Sequence, residues 1–276
     1  MTAGVHVSGT TRLYAVLGDP VAQVRAPMLL NPLLAGLGAD AVVVPVHVRP
    51  GDLADVVRGL TRAGNVDGLL VTVPHKAAVC ALVDELGPAA AVTGTANAVR
   101  READGRLLAE NFDGLGFVRG LRAAGRPVRG AQVFVAGAGG AGGAVTAALL
   151  AAGAARVAVR DPDAARLAGL LARLGEGRLT GAYAAGPGDL AHAGIAVNAT
   201  PLGMRPEDPL PFDPADVPPG ALVADVVMKP HETALLRAAA ALGRPVHHGI
   251  HMLQQQVPEY RAFFGWPAQR DAESPQ

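Results

Sequence analysis

One lysine of this chain stands out because lysine is rare in it. Of the 24 Lys and Arg residues, only Lys76 and Lys229 are lysines. The Ala-, Arg- and Gly-rich composition indicates that arginine replaces lysine wherever arginine serves. A lysine that persists is therefore predicted to be needed as a lysine, because an ammonium group can lose its proton at a tuned pKa and a guanidinium group cannot. We interpret Lys76 in this way, and Lys229 as a residue that persists by chance.

An aspartate is the second candidate for proton-transfer chemistry. Lys76 lies just past the apolar run 68–73, at the strand end where ligands bind in open α/β sheets. Asp113, in the stretch 111–114 (Asn-Phe-Asp-Gly), lies at a predicted hinge between two halves of the chain. A lysine and an aspartate across a cleft can hold a secondary alcohol and exchange its proton while hydride leaves the carbon. The alternative is a surface salt bridge, which contributes little.

A glycine-rich loop predicts where a dinucleotide binds. Residues 137–142 follow the pattern Gly-x-Gly-x-x-Gly, between a predicted strand over 132–136 and a helix of small residues. The first glycine permits a tight turn, the second lets the backbone approach the pyrophosphate, and the third lets the helix and strand pack closely. The helix N-terminus offers free N–H groups to the anion. We therefore assign the cofactor loop to Gly137, Ala138, Gly139, Gly140, Ala141 and Gly142.

The acidic residue after the next strand predicts which nucleotide is preferred. Asp161 follows the strand 156–159, about 20 residues beyond the glycines, where a carboxylate accepts hydrogen bonds from both ribose hydroxyls. Asp161 also repels a 2′-phosphate, and Asp163 adds negative charge. Arg160 is the one residue that favours the phosphate, and we expect its side chain to point to the other side of the strand end. NAD is therefore the predicted cofactor, with NADP less favoured; the structural alternative for Asp161 is an ordinary helix N-cap.

Composition excludes several functional classes. The chain has 276 residues and a mass of 27.9 kDa, and its 50% hydrophobic and 17% charged residues exclude intrinsic disorder. The formal net charge of +0 provides no positive field for nucleic acid or anionic lipid. The single cysteine, Cys80, excludes an internal disulfide framework and a multi-cysteine zinc site, and predicts a reducing cytoplasm. The apolar stretch 144–158 is too short to span a bilayer, and residues 1–11 lack a signal-peptide pattern.

Apolar periodicity predicts alternating strands and helices, the pattern of parallel βαβ units. In the first half we predict strands over 12–17, 42–48 and 68–73, and helices over 27–37, 51–63 and 76–86. In the second half we predict a helix over 115–124, a strand over 132–136, a helix ending at 152, and strands over 156–159, 195–197 and 222–226. After Gly249, the four-residue spacing of Met252, Gln256 and Tyr260 predicts a final helix.

Seven stretches, taken in order and spacing, resemble the shikimate/quinate dehydrogenase family over nearly the full length of the chain. They are 18–21 (Gly-Asp-Pro-Val), 71–76 (Val-Thr-Val-Pro-His-Lys), 94–97 (Gly-Thr-Ala-Asn), 111–114, 137–142, 198–204 (Asn-Ala-Thr-Pro-Leu-Gly-Met) and 248–256, which begins His-Gly-Ile-His-Met-Leu and ends in Gln. The resemblance implies a two-domain α/β fold, an N-terminal open α/β substrate domain plus a Rossmann-type dinucleotide-binding domain. The implied boundaries are 1–112 for the first domain, completed by a C-terminal helix over 248–268, and 113–247 for the second. We expect residues 269–276 to form a disordered tail.

The same resemblance implies a role for each matching residue. Lys76 takes the position of the family's general acid/base, and Asp113 that of the aspartate that orients the lysine. Asn97 and Gln256 match ligands of the ring hydroxyls. Thr72 matches a family threonine that lies near the substrate. Thr200 and Met204 match the family's loop beside the nicotinamide. Where NADP-dependent members have Asn-Arg-Thr, residues 161–163 are Asp-Pro-Asp and resemble the NAD-using members.

The chain departs from the family where the substrate carboxylate binds. The family has Ser-x-Ser-Pro, whereas residues 24–27 are Val-Arg-Ala-Pro, so both hydroxyls are absent. Losing two donors to a buried carboxylate costs about 1.5–3 kcal/mol for each. Either Arg25 turns inward and binds the carboxylate, or the substrate lacks one. Further departures are Leu70 for an asparagine, Met228 for a tyrosine and His251 for a glycine.

The histidines near the C-terminus suggest either a metal site or a substrate contact. His247, His248 and His251 lie close together in the sequence, but no cysteine and no nearby fixed carboxylate completes a metal site. We therefore predict no metal. His251 is interpreted as a hydrogen-bond donor to the substrate, with a packing role as the alternative.

The predicted function is an NAD(P)-dependent alcohol dehydrogenase of the shikimate/quinate type, acting on a small hydroxylated carbocycle. One alternative is the same chemistry on a carboxylate-free cyclitol. A non-catalytic nucleotide- or metabolite-binding regulator and a folate methylene dehydrogenase are others, and the presence of both Lys76 and Asp113 argues against the regulator. The family implies aromatic amino acid biosynthesis. We expect a cytoplasmic monomer or homodimer that binds neither nucleic acid nor membrane.

Overall fold

The computed structural model describes residues 6–267, so the expected disordered tail, 269–276, lies outside the described range. The described chain divides into two compact units. Unit 1 comprises residues 6–87, 96–110 and 257–267, and unit 2 comprises residues 88–95 and 111–256. This division differs from the expected domain boundaries in three segments, since residues 88–95, 111–112 and 248–256 belong to unit 2.

The secondary structure alternates strands and helices along most of the chain. The strands are β1 (Arg12–Gly18), β2 (Ala41–His47), β3 (Val66–Val71), β4 (Glu85–Leu86), β5 (Ala98–Arg101), β6 (Leu107–Glu110), β7 (Gln132–Ala136), β8 (Arg156–Arg160), β9 (Ala182–Ala184), β10 (Ile195–Asn198), β11 (Leu222–Asp225) and β12 (Val246–His247). The helices are α1 (Ala26–Gly36), α2 (Leu53–Arg62), α3 (Pro88–Thr93), α4 (Asp113–Ala123), α5 (Gly140–Ala151), α6 (Ala164–Glu176), α7 (Ala234–Ala241), α8 (Ile250–Gln254) and α9 (Val257–Phe264).

Unit 1 is built on a mixed six-stranded sheet in the order β2-β1-β3-β5-β6-β4. The apolar strands β1, β2 and β3 pair in parallel, as the sequence predicts. The antiparallel hairpin of β5 and β6 was not predicted. Its turn is closed by the Glu102 N–H, which donates to the Arg106 carbonyl at 2.8 Å, and Gly105 supplies the positive φ of 89°. Charged residues dominate this turn, so apolar alternation gives no strand signal there.

Two predicted helices differ from the structure. Residues 76–86 form a 3₁₀ turn over Ala78–Leu82 and the short strand β4 rather than a helix. Strand β4 pairs in parallel with β6, a tertiary contact that apolar spacing does not reveal. The C-terminal helix is divided into α8 and α9 just before Pro258, whose ring lacks the N–H and collides with the preceding helical turn.

Unit 2 is built on a fully parallel sheet in the order β12-β11-β10-β7-β8-β9. Numbered within the unit, this is the order 6-5-4-1-2-3 of a doubly wound dinucleotide-binding sheet. Strands β7, β8 and β10 carry buried apolar runs because helices cover a parallel sheet on both faces. Ligands of such sheets bind at the carboxyl ends of the strands where the winding reverses, between β7 and β10.

Helices of unit 2 pack closely where the sequence provides small residues. A Cβ atom placed on Gly114 of α4 overlaps the backbone carbonyl of Ala144 on α5. Helix α8 packs against α4, and α3 packs against α5 and α6, which explains why these segments belong to unit 2. Over the described residues, no helix is both long and apolar enough to cross a membrane.

Candidate active site

The glycine-rich loop lies at the carboxyl end of β7 and leads into α5. Gly137 has a φ of 106°, and its N–H donates to the Arg160 carbonyl at 2.7 Å. A Cβ on Gly142 overlaps the Gly137 carbonyl oxygen, so both positions require glycine for steric reasons. A Cβ on Gly139, in contrast, meets no atom within 4 Å. Gly139 therefore leaves open space in front of the α5 N-terminus. In proteins with the Gly-x-Gly-x-x-Gly motif, the pyrophosphate of the dinucleotide approaches the backbone at this position. The loop fits a dinucleotide.

Asp161 braces this loop from the end of β8. Its Oδ2 accepts the Ala138 N–H at 2.7 Å, and its Oδ1 accepts the Asp163 N–H at 2.9 Å. The side chain is 4% exposed and pairs with the Arg166 guanidinium at 3.2 Å. The alternative that Asp161 is the helix N-cap is wrong, because the Asp163 side chain caps α6 by accepting the Arg166 N–H.

Arg160 points away from this carboxylate cluster. Its guanidinium donates to the Pro211 carbonyl at 2.5 Å and lies over the Phe134 ring, 5.0 Å from the centroid. The expected orientation is therefore confirmed. Arg166, which no sequence motif singles out, pairs with both Asp161 and Asp163 at this strand end.

Thr200 and Met204 lie in a loop after β10 that a buried polar network holds in place. Asn198 Oδ1 accepts the Thr200 N–H at 3.0 Å and the Thr200 hydroxyl at 2.7 Å, while Asn198 Nδ2 donates to Asp225 at 3.0 Å. The Thr233 hydroxyl donates to the other Asp225 oxygen at 2.7 Å. Burial raises the pKa of Asp225 to about 6, although these donors oppose the shift.

Asp113 is the first residue of α4 and is buried. Gln256 Nε2 donates to Asp113 Oδ1 at 3.1 Å, so two of the predicted site residues are in contact within unit 2. The Asp113 N–H donates to Asn111 Oδ1 at 3.0 Å. The N-terminus of a helix also favours a carboxylate electrostatically. A Cβ on Gly116 overlaps the Met252 carbonyl oxygen, which shows how closely α4 approaches α8.

Lys76 and Thr72 lie in the segment after β3 in unit 1. The Thr72 N–H donates to the Leu17 carbonyl at 2.9 Å, which continues the pairing of β1 with β3. Lys76 is 9% exposed, and its carbonyl accepts the Ala96 N–H at 2.8 Å. The neighbouring His75 side chain packs toward β2, where its Nε2 contacts the carbonyl of Val48, the residue after that strand, at 2.7 Å. Lys76 and Asp113 thus belong to different units.

Asn97 is held in unit 1 by both its backbone and its side chain. Its carbonyl accepts the Val71 N–H at 2.8 Å, and its N–H donates to the Glu110 carbonyl at 3.0 Å. Its Nδ2 donates to the Tyr260 hydroxyl of α9 at 3.3 Å, and both side chains are buried. Tyr260 was predicted only as part of a helix face, because no local pattern points to a partner 163 positions away.

Arg25 precedes α1 and is partly exposed. Its Nη1 lies 3.5 Å from Met28 Sδ, and among the described residues it pairs with no carboxylate. The adjoining Val24 and Ala26 provide no hydroxyl.

His251 lies in unit 2 beside His247 and is exposed. Its Nδ1 contacts Gln254 Oε1 at 3.2 Å, and its ring centroid lies 4.9 Å from that of His247. Burial and the neighbouring His251 and His248 lower the pKa of His247 to about 4. Within residues 6–267 no group of three or more His, Cys, Asp or Glu side chains has the arrangement of a metal site.

These features define a class of protein. The chain combines a doubly wound parallel sheet that has a glycine-rich loop at its switch point with a second α/β unit that has a buried lysine beyond a strand end. This combination is the plan of a dinucleotide-dependent enzyme.

Comparison with known proteins identifies the family. The family model described as the shikimate dehydrogenase substrate binding domain matches residues 16–99. A shikimate dehydrogenase (NADP(+)) of Rubrobacter xylanophilus is 44% identical over 270 residues, which cover 94% of this chain and 93% of that protein. The chain therefore belongs to the shikimate dehydrogenase family, and the resemblance inferred from its motifs is confirmed.

Solved structures agree on the fold. Shikimate 5-dehydrogenase from Listeria monocytogenes, in complex with shikimate and NAD, superposes with a TM-score of 0.82 at 28% identity, covering 96% of this chain and 95% of the other. A ligand-free 5-ketofructose reductase of Gluconobacter has a TM-score of 0.77 at 28% identity, with 94% of each chain covered. The predicted two-domain α/β fold is confirmed, and the protein is an NAD(P)-dependent oxidoreductase.

Proposed function

We propose that this protein transfers hydride between NAD(P) and a secondary alcohol of a hydroxylated carbocycle that resembles shikimate or quinate. The observation that carries the proposal is Lys76, a lysine that is 9% exposed in a chain with only two lysines. It lies directly beyond a parallel strand, in the position of the family's general acid/base. Unit 1 would bind the substrate and unit 2 the cofactor.

In this mechanism Lys76 carries the proton. Its neutral amine takes the proton of the substrate hydroxyl as the C–H bond breaks, so that the alcohol carbon becomes a carbonyl carbon. The bound nicotinamide supplies the hydride acceptor. In the reverse direction the Lys76 ammonium returns the proton to the carbonyl oxygen. Asp113 orients the ammonium group and stabilises its positive charge, and Gln256, through its hydrogen bond to Asp113, fixes the direction of that carboxylate.

Three polar side chains are assigned to the substrate hydroxyls from the family resemblance. Asn97, Thr72 and Gln256 match the family's substrate residues, and Asn97 is already anchored by Tyr260. His251 is exposed and adds a donor or acceptor where the family has a glycine. For a substrate carboxylate we assign Arg25, whose guanidinium pairs with no carboxylate among the described residues.

A second candidate function is the same hydride transfer on a carboxylate-free cyclitol or related polyol. Val24 and Ala26 favour it, because they stand where the family has the two serines that bind the carboxylate. The likeness to 5-ketofructose reductase also supports it, since that protein's name gives a substrate without a carboxylate.

We further propose that NAD is preferred over NADP, although the Rubrobacter relative carries NADP(+) in its name. Two carboxylates, Asp161 and Asp163, lie at the end of β8, and both are paired with the single Arg166. A 2′-phosphate at this position meets net negative charge. Pro162 provides no side-chain donor in place of the arginine found in the family's NADP-dependent members.

Asp161→Asn tests this preference, because an amide oxygen still accepts the Ala138 N–H while the charge is lost. We expect the ratio of kcat/KM for NADP to that for NAD to rise by about tenfold, equivalent to 1.4 kcal/mol. Glu176→Gln, which removes a charge from the far end of α6, is the matched control. An unchanged ratio in Asp161→Asn would show that this carboxylate does not select the nucleotide.

The function itself is tested with purified protein, NAD and NADP, and a panel of shikimate, quinate and carboxylate-free cyclitols, by the appearance of reduced cofactor at 340 nm. Turnover of shikimate or quinate supports the first function and assigns the carboxylate to Arg25 or a neighbour. Turnover restricted to carboxylate-free compounds supports the second. No turnover with any compound, together with retained cofactor binding, supports the non-catalytic regulator.

We also infer a cytoplasmic protein whose partners are small molecules, since the balanced charge and the single cysteine favour neither nucleic acid nor an oxidising compartment.

A further inference from the structure

A row of buried polar groups leads to Asp113 within unit 2. Thr95, Asn111 and Asp113 are each no more than 6% exposed. Asn111 Nδ2 donates to the Thr95 hydroxyl at 2.9 Å and to the Thr95 carbonyl at 3.0 Å. Asn111 Oδ1 then accepts the Asp113 N–H at 3.0 Å. The Asn111 side chain is therefore clamped at one end by Thr95 and holds the Asp113 backbone at the other.

This clamp acts at the start of α4. The N–H of the first helical residue has no partner within the helix, so its orientation depends on an acceptor from outside. Asn111 provides that acceptor as an Asx turn, two residues before Asp113. This bond orients the Asp113 backbone, and Gln256 Nε2 donates to the Asp113 carboxylate.

The Thr95 hydroxyl also faces the cofactor loop. It lies 3.0 Å from the Thr93 hydroxyl and 3.4 Å from the carbonyl of Gly140, the first residue of α5. A hydroxyl has one hydrogen and can donate to only one of these acceptors at a time, while it still accepts from Asn111. Thr95 therefore stands between the glycine-rich loop and the side chain that supports Asp113.

We propose that Thr95 is a positioning residue for the reaction: its hydroxyl orients Asn111, and Asn111 in turn orients Asp113. This inference rests on the proposed function, because it takes Asp113 as the residue that orients Lys76. Since Asn111 also bonds the Thr95 backbone carbonyl, removing the hydroxyl loosens the clamp without releasing it.

The test compares variants at position 95, assayed with the panel compound that wild-type protein turns over fastest. Thr95→Val removes the hydroxyl and keeps the shape, and we expect kcat to fall by about two- to tenfold, the effect of one hydrogen bond, with KM for the substrate within twofold. Thr95→Ser restores the hydroxyl and is expected to restore kcat. If Thr95→Val does not fold, the comparison of Thr95→Ser with Thr95→Ala isolates the same hydroxyl.

Thr146→Val is the matched control. Thr146 is a buried threonine of α5 in the same unit, and its hydroxyl has no hydrogen-bond partner among the described residues. Removing an unpartnered buried hydroxyl is neutral or stabilising. We expect this variant to keep wild-type kcat, so a loss of kcat in Thr146→Val equal to that in Thr95→Val would overturn the proposal.

A double-mutant cycle with Asp113→Asn shows whether Thr95 acts through Asp113. In that background we expect Thr95→Val to change kcat by less than about 1.5-fold, because groups that act as a unit are not additive. The inference is overturned if Thr95→Val lowers kcat equally in the wild-type and Asp113→Asn proteins, or lowers it in neither. If Asp113→Asn alone leaves kcat unchanged, it is the proposed role of Asp113 that fails. If wild-type protein turns over no panel compound, the proposed function and this inference are both overturned.

Discussion

The cofactor loop of unit 2 and the substrate side of unit 1 hold their functional groups by different means. In the loop, backbone atoms occupy the space around Gly137 and Gly142, so almost any other residue collides. On the substrate side, Asn97 is oriented by a tyrosine hydroxyl 163 positions away, and the Arg25 guanidinium contacts Met28 Sδ. These two glycines of the loop cannot be replaced without a steric clash, so the loop keeps its sequence and binds one class of cofactor. The substrate side depends on side-chain contacts instead, so its residues can differ between proteins with different substrates. This explains how the chain keeps the family's cofactor loop while lacking the carboxylate serines.

The largest effect is expected from removing the proton carrier of unit 1. Lys76→Ala should lower kcat by about 10²–10⁴-fold, the usual loss when general acid/base catalysis is removed. Lys76→Arg keeps the charge but cannot exchange the proton, so we expect a comparable loss. Lys229→Ala is the control, and steady-state kinetics with the best panel compound is the measurement. A kcat for Lys76→Ala within threefold of wild type would exclude Lys76 as the acid/base.

Two glycine variants separate steric need from cofactor contact in the loop. Gly142→Ala places a methyl group on the Gly137 carbonyl, and we expect it to lower the free energy of unfolding by about 1–3 kcal/mol or more. Gly139→Ala adds a methyl group to open space and should leave stability unchanged while weakening NADH binding by about tenfold.

Urea unfolding and NADH fluorescence titration measure the two effects of these glycine variants. Gly143→Ala is the control, because its Cβ lies 3.1 Å from Leu170 Cδ1, an atom at the end of a flexible side chain. Equal stability losses in Gly139→Ala and Gly142→Ala would remove the distinction between the two glycines.

Two titrating groups of unit 2 predict opposing pH effects on stability. The folded pKa of Asp225, about 6, lies above its unfolded value, so its contribution to stability is lost as pH rises from 4 to 6. The folded pKa of His247, about 4, lies below its unfolded value, so stability is gained as pH rises from 4 to 6.5. Each effect amounts to at most about 3 kcal/mol.

Variants of these two residues reveal the opposing slopes. In Asp225→Asn we expect the free energy of unfolding to increase with pH between 4.5 and 6.5, and in His247→Leu we expect it to decrease. Urea unfolding followed by circular dichroism at both pH values is the measurement. Parallel pH dependence in the two variants would contradict the assignment of these groups.

The smallest expected effect on catalysis comes from removing the Tyr260 hydroxyl, which accepts a hydrogen bond from Asn97. Tyr260→Phe removes only the hydroxyl that Asn97 Nδ2 contacts, and one such bond corresponds to about a two- to tenfold rise in KM for the substrate. We expect kcat to stay within twofold. The control is Tyr183→Phe, because Tyr183 lies on β9, the edge strand of unit 2, and its hydroxyl donates to Asp189. An unchanged KM in Tyr260→Phe would show that Asn97 is held well enough by its backbone.

Local patterns predicted much of the fold and part of the candidate site. Apolar runs located β1, β2, β3, β7 and β8, because a buried parallel strand needs a continuous apolar stretch. The β5–β6 hairpin and the pairing of β4 were missed, since long-range pairing of short, partly polar strands leaves no periodicity. The helical region after Gly249 was predicted, but its division into α8 and α9 was not. Pro258 is a sequence signal for such a break.

The amino-acid sequence by itself determined the glycine-rich loop and the α/β alternation, and it singled out Lys76 as the proposed proton carrier. Those features depend on which residue types a backbone turn, a buried strand or a proton transfer permits, and such limits are local. Only the tertiary structure decided that Gln256 contacts Asp113, that Tyr260 holds Asn97 and that Thr95 and Asn111 support Asp113. Hydrogen bonds between residues distant in the sequence depend on how helices and strands pack, and no spacing in the chain encodes that geometry directly.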